Sequence, residues 1–98
     1  MTPNIPNTPT PHSALPIPLP ESLPSHTVVI VRHNVVEYRL ATAAGVRIVQ
    51  IFFNTATPRV KAFADQPQVS GEIAIVLSLD EILAYVSHAR SLMDALNE

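Results

Sequence analysis

The chain has 98 residues, enough for one small domain and a tail. It contains no cysteine, which excludes disulfides, thiolate nucleophiles and Cys-based zinc or iron–sulfur sites. Charged residues make up 14% against 47% for the hydrophobic set, and a formal net charge of −2 excludes proteins that hold duplex DNA or anionic lipid mainly by charge.

Eight of the ten prolines fall in residues 1–24, so the chain divides into a Pro-rich extended arm, 1–26, and a body, 27–98. Proline fixes its own φ and biases its predecessor toward extended geometry, so polyproline II or irregular extended chain is expected in the arm. Fully extended, residues 1–24 would reach ~74 Å. The arm carries five large aliphatics, Ile5, Leu15, Ile17, Leu19 and Leu23, and a single charge, Glu21. That composition marks a docking arm, with these five residues as the partner-docking set and Leu15, Ile17 and Leu19 seated on a neighbour. The same segment lacks the basic start and unbroken apolar run of a signal peptide. No stretch approaches the ~20 apolar residues of a membrane helix. A cytoplasmic protein with no membrane partner is the expectation.

The body reads as an α+β domain, a small and mainly antiparallel sheet of four or five strands followed by one C-terminal helix. Thr27 to His33 and Val35 to Ala41 form a hairpin about Asn34. Thr42 to Gly45 is a turn and Val46 to Phe53 a strand. Arg59 to Ala64 fits either a short strand or a helical turn, and Val69 to Leu77 a further strand. Ser78 and Glu81 form an S-x-x-E capping box, with Asp80 and Glu81 suited to the helix dipole, so the helix runs over 78–96. Its periodicity places Leu79, Ile82, Leu83, Val86, Ala89, Met93 and Leu96 on the buried side, with Glu81, Ser87, His88, Arg90 and Asp94 largely opposite.

Strands covered on one face alternate, whereas those covered on both are apolar throughout. Val28 to Val31, Ile51 to Phe53 and Ile73 to Leu77 follow the second pattern, and one helix shields only one face. Leaving five or six such side chains wet would forfeit about 10 kcal/mol, comparable with the stability of a small domain. The arm, a second copy or a different protein must therefore cover the other face.

Chemistry is sparsely provided for. His12, His26, His33 and His88 show no metal-site spacing, and Ser25 beside His26 has no nucleophile elbow. Two glycines exclude phosphate-cradling loops by count. Asp80 and Glu81 are explained by the helix cap. No catalytic residue, metal or other cofactor is expected, and the chain reads as a non-enzymatic structural or interaction module, homo-oligomeric or a subunit of a larger assembly.

The alternative is single-stranded nucleic-acid binding. Between residues 27 and 61, Arg32, Arg39, Arg47, Arg59 and Lys61 face Glu37 alone, while the C-terminal part is acidic. Arginines interleaved with Tyr38, Phe52 and Phe53 suit base stacking and phosphate tracking, with Arg32, Arg39, Arg47 and Phe53 as candidate contacts. The same arginines also suit a solubilising role at strand edges. The stretch Gly71-Glu72-Ile73-Ala74-Ile75-Val76-Leu77-Ser78-Leu79-Asp80-Glu81-Ile82, with Val46-Arg47-Ile48-Val49-Gln50-Ile51-Phe52-Phe53 before it, resembles the last strands and helix start of the PC4-like single-stranded-DNA-binding family. The resemblance spans residues 37–96. It implies a dimer whose strands face nucleic acid, with Arg39, Arg47 and Phe53 as contacts. The loop before the last strand departs from it, lacking that family's lysine-rich character.

Overall fold

The computed structural model describes residues 16–66 and 72–97. Five strands form one antiparallel sheet in the order of the chain: β1 (Val28–Arg32), β2 (Val35–Thr42), β3 (Gly45–Phe52), β4 (Arg59–Asp65) and β5 (Glu72–Ala74). The helix α1 (Leu79–Leu96) follows. This is the expected α+β architecture. Arg59 onward is a strand, and β5 is shorter than the apolar run suggested. Ile75 still donates its N–H to Ala62 O at 3.2 Å, but Val76 is 96% exposed, so the run is not covered on both faces. Residues 69–71 of that expected strand lie outside the described residues.

The turns sit where backbone chemistry demands. Asn34 takes a φ of 62°, the left-handed region that asparagine tolerates, and closes the β1–β2 hairpin. Gly45 has a φ of 146°, and a Cβ there would lie 2.5 Å from Asp65 O. Only glycine lets β3 begin that close to the end of β4.

The helix starts as its sequence dictates. Ser78 Oγ accepts from the Glu81 N–H at 3.1 Å, and Glu81 Oε1 accepts from the Ser78 N–H at 3.0 Å. Its packing face differs from the expected stripe. Tyr85, His88, Ala89 and Leu92 are buried, while Leu79 and Leu83 are 70% and 57% exposed. At 3.6 residues per turn the helix is rotated by roughly one residue's worth of arc, ~100°. The reason is polar: Tyr85 and His88 find aromatic and hydrogen-bonding partners on β2, so they displace two leucines from the sheet side.

The core lies between α1 and one sheet face, built from Val36, Tyr38, Val49 and Ile51 against Tyr85, Ala89 and Leu92. The arm joins this layer. Leu23 is buried in the same core, with Ile17 and Leu19 packed against it. His88 Nε2 lies 3.1 Å from Ile17 O, fixing the arm to the helix. Leu23 is thus part of its own domain's core, and Ile17 and Leu19 pack half-buried against it. Ile5 and Leu15 lie outside the described residues.

Candidate interaction surface

Alternation along paired strands sorts every side chain to one of two faces. Val29, Val31, Val36, Tyr38, Val49, Ile51, Phe53 and Ala62 take the helix face. The opposite face carries four rows set by the strand register. They are Val28, Arg39, Ile48, Phe63 and Ala74; Ile30, Glu37, Gln50 and Lys61; Arg32, Val35, Phe52 and Arg59; and Ala41, Val46, Asp65 and Glu72. Helix and described arm both pack on the first face, so among the described residues no second layer covers these rows.

At the centre of the open face lies a carboxylate that neighbours enclose from the side. The Glu37 side chain is 5% exposed. It accepts from Gln50 Nε2 at 2.8 Å and from Arg32 NH1 at 3.2 Å, and Arg39 NH1 stands 3.5 Å away. A buried carboxylate is tolerated only when its lone pairs and charge are met, and two hydrogen-bond donors and a second ion pair meet these. Around it, Ile48 and Phe63 are buried, with Lys61 Nζ 5.0 Å from the Phe63 ring centroid. Val28, Ile30, Val35 and Phe52 remain partly or largely exposed.

The residues nominated for nucleic-acid contact do not share a surface. Arg32 and Arg39 stand on the open face, held by Glu37. Arg47 is on the helix face, where its NH2 group donates to Glu81 Oε2 at 2.9 Å and its Nε is buried without a partner. Phe53 is also on the helix face, with the Arg90 guanidinium 5.8 Å from its ring centroid. The cations that the topology does bring together are Arg32, Arg39, Arg59 and Lys61, beside Phe52 and Phe63. Asp65 and Glu72 complete that face, and Lys61 pairs with Glu72 at 3.2 Å. Among the described residues, Arg59 is the one cation of this set without an ion pair.

Sequence reasoning missed the most highly organised polar group. His88, expected on the outer side of the helix, is 5% exposed and bonded at both ring nitrogens. Burial, with Tyr85 adding to it, pushes the Tyr38 hydroxyl far above the usual tyrosine range. Tyr38 therefore stays protonated and donates to Nδ1, leaving Nε2–H to donate to Ile17 O. Its signal in the sequence was only the spacing of Glu81, Tyr85, His88 and Leu92, one helical face on which two polar-tipped rings replace aliphatics. The remaining histidines do not converge: His26 and His33 are exposed, and His12 lies outside the described residues.

No protein-family model, curated protein or solved structure matches the chain. Among the described residues no helix is long and apolar enough to cross a membrane.

Proposed function

We propose that this chain is a non-enzymatic interaction module, a subunit whose open sheet face takes a second protein layer from a copy of itself or from a neighbour in an assembly. The observation that carries this is the Glu37 network, set on an uncovered face among the part-exposed apolar side chains of Val28, Ile30, Val35 and Phe52. Its charges are satisfied within the plane, so another layer can cover them without leaving a buried charge unpaired. Half-covering four side chains, Val28, Ile30, Val35 and Phe52, contributes roughly 3–6 kcal/mol. Association costs at least about 4 kcal/mol of translational and rotational freedom. The face alone therefore supports docking that is weak and reversible.

Nucleic-acid binding is the weaker reading on this face. Arg32, Arg39, Arg59 and Lys61 are opposed there by Glu37, Asp65 and Glu72, which leaves little counterion release to drive binding. Two measurements decide between them. Native mass spectrometry of the full chain is expected to show species above the monomer, reduced by Phe52→Glu, and an oligonucleotide titration at low salt is expected to show no saturable binding. A strict monomer unaffected by Phe52→Glu, or tight oligonucleotide binding lost on Arg59→Glu, would reverse the order.

A further inference from the structure

Between the arm and β1 lies a cavity of about 580 Å³. That volume is within the roughly 300–1,000 Å³ of small-molecule sites. Leu19, Leu23, Val28 and Val29 line it with aliphatic surface, and Leu23 belongs to the domain core. Two main-chain turns hold its arm side in shape. The Leu23 N–H donates to Pro20 O at 3.1 Å, and the Thr27 N–H donates to Pro24 O at 3.2 Å. Pro18, Pro20 and Pro24 fix φ along the same wall, so little ordering remains for a ligand to impose.

The polar chemistry of this lining is one-sided. Of the ten residues around the cavity, three are prolines without an N–H, and the N–H groups of Leu23 and Thr27 are spent in the two turns. Half of the lining therefore has no main-chain donor to offer. No lysine, arginine or histidine lines the cavity. Its one charged side chain is Glu21, an acceptor only, and no cation pairs with that carboxylate among the described residues. An anionic ligand would meet repulsion there and few donors, whereas an apolar body with a cationic donor matches both features.

We propose that this cavity binds a small apolar amine, with its hydrocarbon body against Leu19, Leu23, Val28 and Val29 and its ammonium toward the Glu21 carboxylate. This is a binding activity beyond the docking of the open face, and it stands whether or not the chain self-associates. An ammonium supplies three N–H donors and no acceptor, the complement of a lining poor in donors and carrying one carboxylate. The aliphatic walls provide the affinity and Glu21 the preference. Because Glu21 is exposed, that preference over a neutral molecule of the same shape is modest, about two- to fivefold.

Phenylbutylamine, phenylbutanol and phenylbutyrate share one carbon skeleton and separate the body from the charge. Each is titrated into the full chain at neutral pH and followed by the methyl NMR signals of Leu19, Leu23, Val28 and Val29. The amine is expected to shift these signals saturably and to bind about two- to fivefold more tightly than the alcohol, with the carboxylate weakest. Glu21→Lys is expected to reverse the order of amine and carboxylate while leaving the alcohol unchanged. In the unaltered chain, molar salt is expected to bring the amine to the affinity of the alcohol, a check that needs no variant to fold. Several results overturn the proposal: no saturable shift at millimolar concentrations, or shifts centred on Val35 and Phe52 of the open face instead. Equal binding of amine and alcohol at low salt, a carboxylate as tight as the amine, or an order indifferent to both Glu21→Lys and salt overturns it as well.

Discussion

The Tyr38 hydroxyl, on β2, lies 2.7 Å from His88 Nδ1 on the helix, and the other nitrogen of that imidazole reaches Ile17 O in the arm. One buried side chain thereby connects sheet, helix and arm, three segments separated by up to 71 positions in sequence. Tyr38 also meets Tyr85 edge-on, with ring centroids 4.9 Å apart, and His88 at 5.6 Å.

Breaking this relay has a defined cost. Tyr38→Phe leaves Nδ1 without a donor and is expected to destabilise the domain by about 1–3 kcal/mol in urea unfolding. His88→Leu strands both the hydroxyl and the Ile17 carbonyl, so it should also speed amide exchange and proteolysis in residues 16–26. The double variant is expected to lose less than the sum of the single losses, because the groups act as one network. Full additivity would show that the two residues are stabilised separately.

The rotation of α1 predicts unequal leucines. Leu92 is fully buried, and Leu92→Ala should cost about 2–5 kcal/mol. Leu83 sits on the exposed flank, where Leu83→Lys should change the stability of the monomer by no more than about 0.5 kcal/mol. The reverse order in thermal or chemical melts would restore the stripe that periodicity alone suggested.

Gly45 tests the close approach of β3 to β4. An alanine Cβ meets the Asp65 carbonyl oxygen at 2.5 Å and strains a φ of 146°, so Gly45→Ala is expected to cost about 1–3 kcal/mol. Gly45→Asn should be no better, since a second side chain meets the same backbone. A neutral result in either variant would mean that the Thr42 to Gly45 turn is laxer than its geometry implies.

The helix N-terminus carries a pH signature. The Ser78 backbone N–H, and then the Arg47 guanidinium, hold the Glu81 carboxyl below the usual glutamate range. A lowered folded-state value means that its contribution is present above the unfolded glutamate value of about 4.3 and fades as pH falls through the folded one. Because Glu81 is 40% exposed, the effect should stay below about 1 kcal/mol. Wild-type stability is expected to decline more steeply than that of Glu81→Gln between neutral pH and pH 3, followed by urea midpoints. Parallel profiles would remove Glu81 from the acid response. Ser78→Ala should separately cost about 1 kcal/mol through loss of the cap.

Much of the fold was legible because it is locally encoded. β-branched runs gave the first three strands within a residue or two, Asn34 and Gly45 marked turns where φ turns positive, and Ser78 with Glu81 marked the helix start through bonds spanning three residues. The proline-dense segment was separable for the same reason, since proline restricts the chain wherever it lies. The sharing of residues between the two sheet faces followed from alternation once the strands were placed. Tertiary structure alone decided the facing of the helix, because Tyr85 and His88 carry both an apolar body and a polar tip, and only the buried Tyr38 hydroxyl makes the sheet side the better home for them. It also decided that Ile17, Leu19 and Leu23 close onto their own core, and that Arg47 and Phe53 stand behind the sheet from Arg32 and Arg39. Such pairings depend on strand register and on contacts across fifty or more positions, which no local preference in the chain specifies.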